Sequence, residues 1–449
     1  MKRKMTKTMT GIITAAMLIP AFAGVSASAA KNVAISKKNF PDKSFRQQIS
    51  KNYDKNHDKK LSPKEIKSVK NMCFDKVKFK NIKGISYFNN LEKFSIINSS
   101  LGNVDFGKVK KLKEIDLSHN TVKSVNISKC SNLEKLTVNY SKLKKIDVSA
   151  NKKLKGLDLN YNFLTGINLS GNRKLEELHL DYNSLSELDV RNNSLLNKLT
   201  AQYNIISDVK FEKNDKLEEL DLSYNNISAI DLSEAQNILD LDLTDNFLKS
   251  IDLSRTPLIK KLSLIANEFV EIDTTVLKDL STDNFYASSQ RAYAVANENG
   301  QYTLADYPVN HIENLKISSN YEDAKPILEY AVPLFGDTRK NYESFLYKDA
   351  KGAELKGNFI NSTPISWKKT EADKKKVSLE WNEIAGAESY TVVRVDLAEG
   401  STRKFENISG NTYTDTKAES GSAYIYYIEG DVGGAFDGSL STRVAVTAK

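Results

Sequence analysis

Two sets of residues in this 449-residue chain have types and spacings that could do chemistry. The first is the twelve-residue stretch Asp54 to Glu65. Side-chain oxygens fall at its positions 1, 3, 5, 9 and 12, as Asp54, Asn56, Asp58, Ser62 and Glu65, and the Lys60 carbonyl falls at position 7. That spacing can wrap a calcium ion in oxygen ligands, with a structural role. A metal-free reading stands beside it. Ser62-x-x-Glu65 is a capping box that opens a helix, and Asp54 and Asn56 are turn formers. Lys59 occupies the position where such a loop favours glycine, because the backbone there turns left-handed.

The second set runs through the middle of the chain. Asp158, His179 and Thr200 follow one another at 21-residue intervals. A carboxylate, an imidazole and a hydroxyl in line suggest hydrolysis, but an open strip offers no oxyanion donors and excludes no water. The expectation is therefore a non-enzyme, with His179 and Asp158 as a local pH-sensitive pair. Further on, Asp221, Asp240, Asp242 and Asp245 gather with Glu219. They read either as an acidic patch for a basic partner or cation, or as a solvated face that keeps the molecule soluble.

The 21-residue interval is the key to the elements that position these groups. Leu112-x-x-Ile115-x-Leu117-x-x-Asn120 recurs from Leu154, Leu175 and Leu217, and looser copies start at Leu91, Leu133, Leu196, Ile238 and Ile259. No single turn can bury its own apolar side, whereas stacked turns share one core. The first half of each turn reads as a short strand. The asparagine at position nine (Asn120, Asn162, Asn183, Asn204, Asn225, Asn246, Asn267) turns the chain and bonds neighbouring backbone, with Ser99 and Ser141 as departures. Position eight reads Tyr140, Tyr161, Tyr182, Tyr203 and Tyr224 in consecutive turns, a ladder with rungs about 4.8 Å apart. It is either a binding strip facing the concavity or its rim, extended by Phe163 and Phe247 at position ten, or a stack that stiffens the array. Glu92, Lys113, Glu134, Lys155 and Glu176 alternate in sign at position two and read as ion ladders that hold register.

This pattern resembles the leucine-rich repeat family in its 21-residue bacterial form, over residues 91–279. The resemblance implies a mainly β, right-handed solenoid whose parallel sheet lines a concave face used to bind proteins or other large ligands. Residues 30–90 read as a small helical cap whose Asp54–Glu65 loop resembles an EF-hand, and 280–320 as a C-terminal cap. Residues 321–367 read as β structure and 368–376 as a charged linker. Val377-x-Leu379-x-Trp381, Gly386-Ala387-x-x-Tyr390-x-Val392 and Gly421-x-x-Tyr424-x-Tyr426 resemble the fibronectin type III family, a β-sandwich, with Trp381 in its core and Tyr424 as a corner tyrosine. Internalin-like bacterial surface proteins combine a capped repeat array with such a module. Their repeat is one residue longer, so that likeness is one of architecture.

Composition bounds the rest. Forty per cent hydrophobic and 27% charged residues exclude wholesale disorder. Lys2, Arg3, Lys4 and Lys7, an apolar run and Ala27-Ser28-Ala29 make residues 1–29 a signal peptide. No other run is long and apolar enough for a membrane span, and no sorting motif ends the chain. A secreted or non-covalently surface-associated monomer is expected. Cys73 and Cys130 could form one bridge, with two buried free thiols the preferred expectation. Residues 31–174 hold 32 basic and 12 acidic residues, and residues 175–449 hold 29 and 45. The basic end could rest on an anionic cell-wall or surface polymer, or could simply be lysine-rich solvation. Nucleic acid is not expected as a partner. The reading is an exported binding protein for a protein or cell-surface ligand, in adhesion or host contact, with a cell-wall polysaccharide or other carbohydrate as the alternative ligand.

Overall fold

The computed structural model describes residues 31–293 throughout, short pieces of 294–341, and most of 342–448. Residues 1–30, which include the segment read as a signal peptide, lie outside the described residues. So does most of the stretch 294–341, which includes parts of the regions read as C-terminal cap and β structure. Among the described residues no helix is long and apolar enough to cross a membrane.

The repeat builds an eleven-stranded parallel sheet. Its leucines stack in register, Leu157 beside Leu178, Leu199, Leu220, Leu241 and Leu262, and all are buried. Burying each such side chain stabilises the fold by roughly 1.5–3 kcal/mol. The sheet runs one strand further at each end than the nine turns counted in the sequence. Asn71–Asp75 pairs with Lys93–Ile97, and Phe285–Tyr286 with Lys261–Ser263. The interval slips there, with Met72 beside Phe94 and Leu262 beside Phe285, so a strict 21-residue count stops short.

Asparagine side chains tie the turns together. Asn183 Nδ2 donates to the carbonyls of Leu159, Leu180 and Asp181, and its Oδ1 accepts from the Leu164 amide at 3.0 Å. The Ser99 hydroxyl donates to Val77 O instead, whereas the buried Ser141 hydroxyl has no partner among the described residues. After the last turn Gln290 takes the asparagine's place, accepting from Phe269 N and donating to Leu264 O. A second buried row lies on the return side of the turns. Asn151, Asn172, Asn193 and Asn214 each donate to carbonyls of the preceding turn. The sequence holds this row at the same interval, but Cys130 and Ala235 flank it and blur the pattern.

Both ends of the core are covered. At the start, Asp42 caps the helix Lys43–Tyr53, which buries Phe45 and Ile49. The short helix Pro63–Ser68 opens with the expected capping box. Phe45, Phe74 and Phe79 pack edge to face above the first strand. At the other end the strands Gln290–Tyr293, Tyr342–Lys348 and Glu354–Ile360 share a sheet, and Phe345, Tyr347 and Leu355 join the solenoid's core. Cys130 is buried and free, whereas Cys73 is free but exposed. Asn71–Asp75 alternates exposed and buried residues, which turns Cys73 outward, contrary to the expectation of two buried thiols.

The C-terminal part is a β-sandwich. One sheet holds Trp367–Asp373, Lys376–Trp381 and Thr412–Asp415; the other centres on Ser389–Asp396 and Ala423–Asp431. Residues 367–373 form a strand paired with 376–381, so the expected linker at 368–376 is instead the sandwich's first strand. Its charges read as a linker because the strand lies at the edge of its sheet, with most side chains in solvent. Trp381 is fully buried, and the Tyr424 hydroxyl accepts from Glu419 N. Asp415, fully buried, accepts from both Arg394 and Tyr426. Ala423–Asp431 buries seven of its nine residues. Such a strand needs cover on both faces: Tyr424, Tyr426 and Ile428 face the sandwich core, and Ala423, Ile425 and Tyr427 pack against the solenoid.

Candidate ligand-binding surface

In the long sheet's three-residue strands from Glu114–Asp116 to Asp240–Asp242 the middle residue is buried and its two neighbours are partly or fully exposed. The solvent face therefore carries aligned columns of polar side chains. Asp158, His179, Thr200, Asp221 and Asp242 stand side by side on successive strands, each half-buried.

Their bonding differs from the expected pairing. Asp158 accepts from Asn139 Nδ2 at 2.8 Å and from Asn160 N at 3.1 Å. His179 Nδ1 lies 3.1 Å from the Thr200 hydroxyl, which donates to Asp181 Oδ2 at 2.9 Å. The pair formed is thus His179 with Thr200 and not His179 with Asp158, because neighbouring asparagines reach that carboxylate first. Asp181 was missed in the sequence, although an acid in a column otherwise holding Asn139, Asn160 and Gln202 was a visible signal. Burial pushes its carboxyl up to about 7, against the pull of the Thr200 hydrogen bond. Asp221 is also raised, first by burial, despite bonds from Ser223.

The acidic patch is partly neutralised. Lys261 Nζ is 3.0 Å from Asp240, and Lys198 pairs with Glu219. Asp245 does not belong to this face. It follows the strand in a left-handed conformation, and its carboxylate is held by Arg443 at 2.6 Å and Arg291 at 3.2 Å. The ion ladders form in part: Lys113 pairs with Glu92 at 2.8 Å and Lys155 with Glu176 at 3.6 Å.

The five tyrosines lie just past the strands, on the rim. Each has a φ between 48° and 56°, a left-handed conformation that costs a non-glycine residue about 1–2 kcal/mol. Their rings stack almost parallel with centroids 4.1–4.5 Å apart, and each such contact returns about 0.5–1.5 kcal/mol. His119 extends the stack by one ring at 4.3 Å from Tyr140. Inside the ladder both faces of every ring are occupied, so only edges and hydroxyls point outward. Burial, and then the neighbouring phenols, push the Tyr203 hydroxyl above its ordinary range.

The sandwich sits on this rim. Tyr182, Tyr203 and Ile205 pack against Val393, Val395, Leu397 and Ile425. Phe163 and Phe247 are 4% and 9% exposed beneath the same cover, so they do not form an open apolar strip. Asn226 and the Arg443 backbone exchange two hydrogen bonds, at 2.8 and 2.9 Å. The Arg443 guanidinium bonds the carbonyls of Asn225 and Asp245 and lies 5.8 Å from the Tyr224 ring. Gly400 approaches Tyr161 so closely that a Cβ there would lie 2.5 Å from the ring. The ladder ends after Tyr224 because the next residue in its column, Asp245, is the anion that receives Arg443.

In the Asp54–Glu65 loop, oxygens are present in kind for a hard cation, and they are already engaged by amides. Asp54, itself 1% exposed, accepts from the amides of Asp58 and Lys59. Asp58 accepts from Lys60 N, and Asn56 from Asp58 N. Glu65 accepts from Lys55 N and from both the amide and hydroxyl of Ser62. Lys59 takes the left-handed turn without glycine, at φ 62°. Among the described residues no group of three or more histidine, cysteine or acidic side chains converges as for a metal.

No family model and no curated protein matches the chain. Among solved structures it is similar to the functional domain of InlJ from Listeria monocytogenes, which includes a cysteine ladder. The identity is 16% over 74% of this chain and 99% of that one, with a TM-score of 0.37. It is similar also to an internalin of that species, inlF, at 19% identity over 57% of this chain and 98% of that one, TM-score 0.32. The leucine-rich repeat domain of APL1B matches at 22% identity over 51% of this chain and 77% of that one, TM-score 0.40.

Proposed function

We propose that this is an exported, non-enzymatic binding protein whose ligand face is the solvent side of the long parallel sheet. Its ligand is a protein surface carrying cationic groups, met in adhesion or host contact. The observation that carries this reading is the row of half-exposed carboxylates Asp158, Asp221 and Asp242, aligned on a rigid sheet. Asp158 and Asp221 are already fixed by hydrogen bonds within the chain. Side chains held in place before binding lose little entropy on binding, and ordered charges orient a partner and reject wrong ones. A neutral polysaccharide would gain most from free aromatic faces, and the ladder's interior rings offer none.

The test is a paired protein and glycan array at low and high salt, with Asp221→Asn/Asp242→Asn and His179→Ala variants of the full chain. The expected outcome is a protein hit weakened about tenfold or more by the double variant and weakened again by salt. Hits confined to neutral glycans and indifferent to both would overturn the reading.

A further inference from the structure

Lysines on the two sides of the solenoid are treated differently. On the sheet side several meet carboxylates of an adjacent turn: Lys93 lies 2.7 Å from Glu114, Lys113 2.8 Å from Glu92 and Lys261 3.0 Å from Asp240. On the return side of residues 91–174, Lys108, Lys123, Lys129, Lys144, Lys152 and Arg173 are all exposed. None of these six is in an ion pair among the described residues.

These cations stand in rows. Lys123 and Lys144 occupy the same place in adjacent turns, as do Lys108 with Lys129 and Lys152 with Arg173. One turn separates the members of each pair, about 5 Å, so like charges face one another along the solenoid axis. The fold does not require them. Most equivalent places in later turns are uncharged or acidic, as at Thr165, Ser186, Ser207, Asn192 and Asp215, and the cations that recur there, Lys213, Lys249 and Arg255, stand singly; those turns stack in the same register. Unrelieved self-repulsion of this kind favours an anionic partner.

We propose that this return face is a docking surface for a linear phosphate polymer without bases, lying along the solenoid axis. Rows of single cations at turn spacing suit a chain of evenly spaced anions. A lipid surface is the poorer fit, since peripheral binding draws on apolar side chains that enter the bilayer. Of the large apolar residues exposed among those described, Leu195, Leu258 and Tyr286 lie in the acidic half and only Tyr87 in the basic half. Single-stranded nucleic acid draws on aromatic platforms for its bases. The one aromatic residue on the return side of these turns, Phe106, is fully buried. This face is distinct from the sheet face proposed above, so either reading can fail alone.

The probe is inorganic polyphosphate of defined chain length, titrated against the full chain at several salt concentrations. Binding should fall with salt, with a log–log slope of about 0.7 per phosphate contacted. Lys123→Glu/Lys144→Glu and Lys152→Glu/Arg173→Glu should each weaken it at least about tenfold, while Lys216→Glu in the acidic half leaves it unchanged. Circular dichroism reports whether each variant folds, and the milder pair Lys123→Gln/Lys144→Gln replaces one that does not. Equal losses from Lys216→Glu, or none from the doubles, would overturn the proposal. So would equal competition by orthophosphate at matched total phosphate. Tighter binding to phosphatidylglycerol vesicles or to single-stranded DNA would assign the face to those partners instead.

Discussion

One column of the repeat leads two lives. From Tyr161 to Tyr224 the ladder is walled in by the sandwich, through Gly400, Val393 and Val395 and finally Arg443. At His119 and Tyr140 the same stack continues, but neither ring belongs to the apolar cluster under the sandwich. Backbone conformation and ring spacing are the same in both stretches. What differs is the neighbouring column: Phe163, Ile205, Asn226 and Phe247 beneath the sandwich, Thr121 and Lys142 beside the bare end. In a repeat protein the recurring positions specify the fold, and the positions that stop recurring specify what it touches.

The sharpest way to break this contrast is at the anion that closes the covered stretch. Asp245→Ala leaves the guanidinium of Arg443 buried with two backbone carbonyls but no counter-charge, and takes from Arg291 one of its partners. Removing one partner of a buried ion pair costs about 3–5 kcal/mol. The expected outcome is a denaturation curve that splits, with amide exchange rising along Ala423–Asp431 before the solenoid opens. A single transition with little loss would mean that the sandwich is not held by this contact.

Next in size come the tyrosines themselves. Tyr203→Ala removes two stacking contacts and part of the apolar seat, an expected loss of about 2–3 kcal/mol. Tyr140→Ala also removes two ring contacts but no seat, and about 1–2 kcal/mol is expected. Equal losses in denaturant titrations would show that stacking alone sets the ladder's energetics and that the sandwich adds nothing.

The solenoid was legible because its leucines and asparagines recur without insertion, and each recurrence is another test of the same pattern. The sandwich's seat was less so, although the signal was there. Tyr424 to Ile428 and Val392-Val393 are unbroken apolar runs, and a free sandwich alternates. Side-chain pairing within the sheet was the least legible part. Asp158 and His179 stand in one column, but which neighbour each bonds depends on reach between columns, and Asn139 and Thr200 decided it. Lys368 to Asp373 read as a linker because charge density is a poor guide at a sheet's edge.

A smaller effect concerns pH. Burial raises the carboxyls of Asp181 and Glu268 to about 7, against about 4 in an unfolded chain. The folded state therefore holds these protons more tightly than the unfolded one. Their contribution to stability is complete below pH 4 and is lost as pH rises through 7. Asp181→Asn removes its share, so the variant should gain stability over the parent at pH 8 and lose that advantage by pH 5. Parallel curves at the two pH values would show that Asp181 titrates normally. Burial, the main cause of the rise, would then cost the charged form less than the packing implies.

The smallest effect is expected at the opposite end, where the cap loop is already closed by its own amides. Asp54, Asp58 and Glu65 already accept these amide hydrogens, which leaves an ion their remaining lone pairs. We propose that calcium binds there weakly and structurally. At ten times its dissociation constant a ligand adds about 1.4 kcal/mol, a melting shift of a few degrees confined to the helices Lys43–Tyr53 and Pro63–Ser68. Magnesium, smaller and stricter in geometry, should not reproduce it, and Asp54→Asn should remove it. If calcium moves nothing while Ser62→Ala still costs about 1 kcal/mol, the loop is a capping device and its donor spacing follows from the turn it makes.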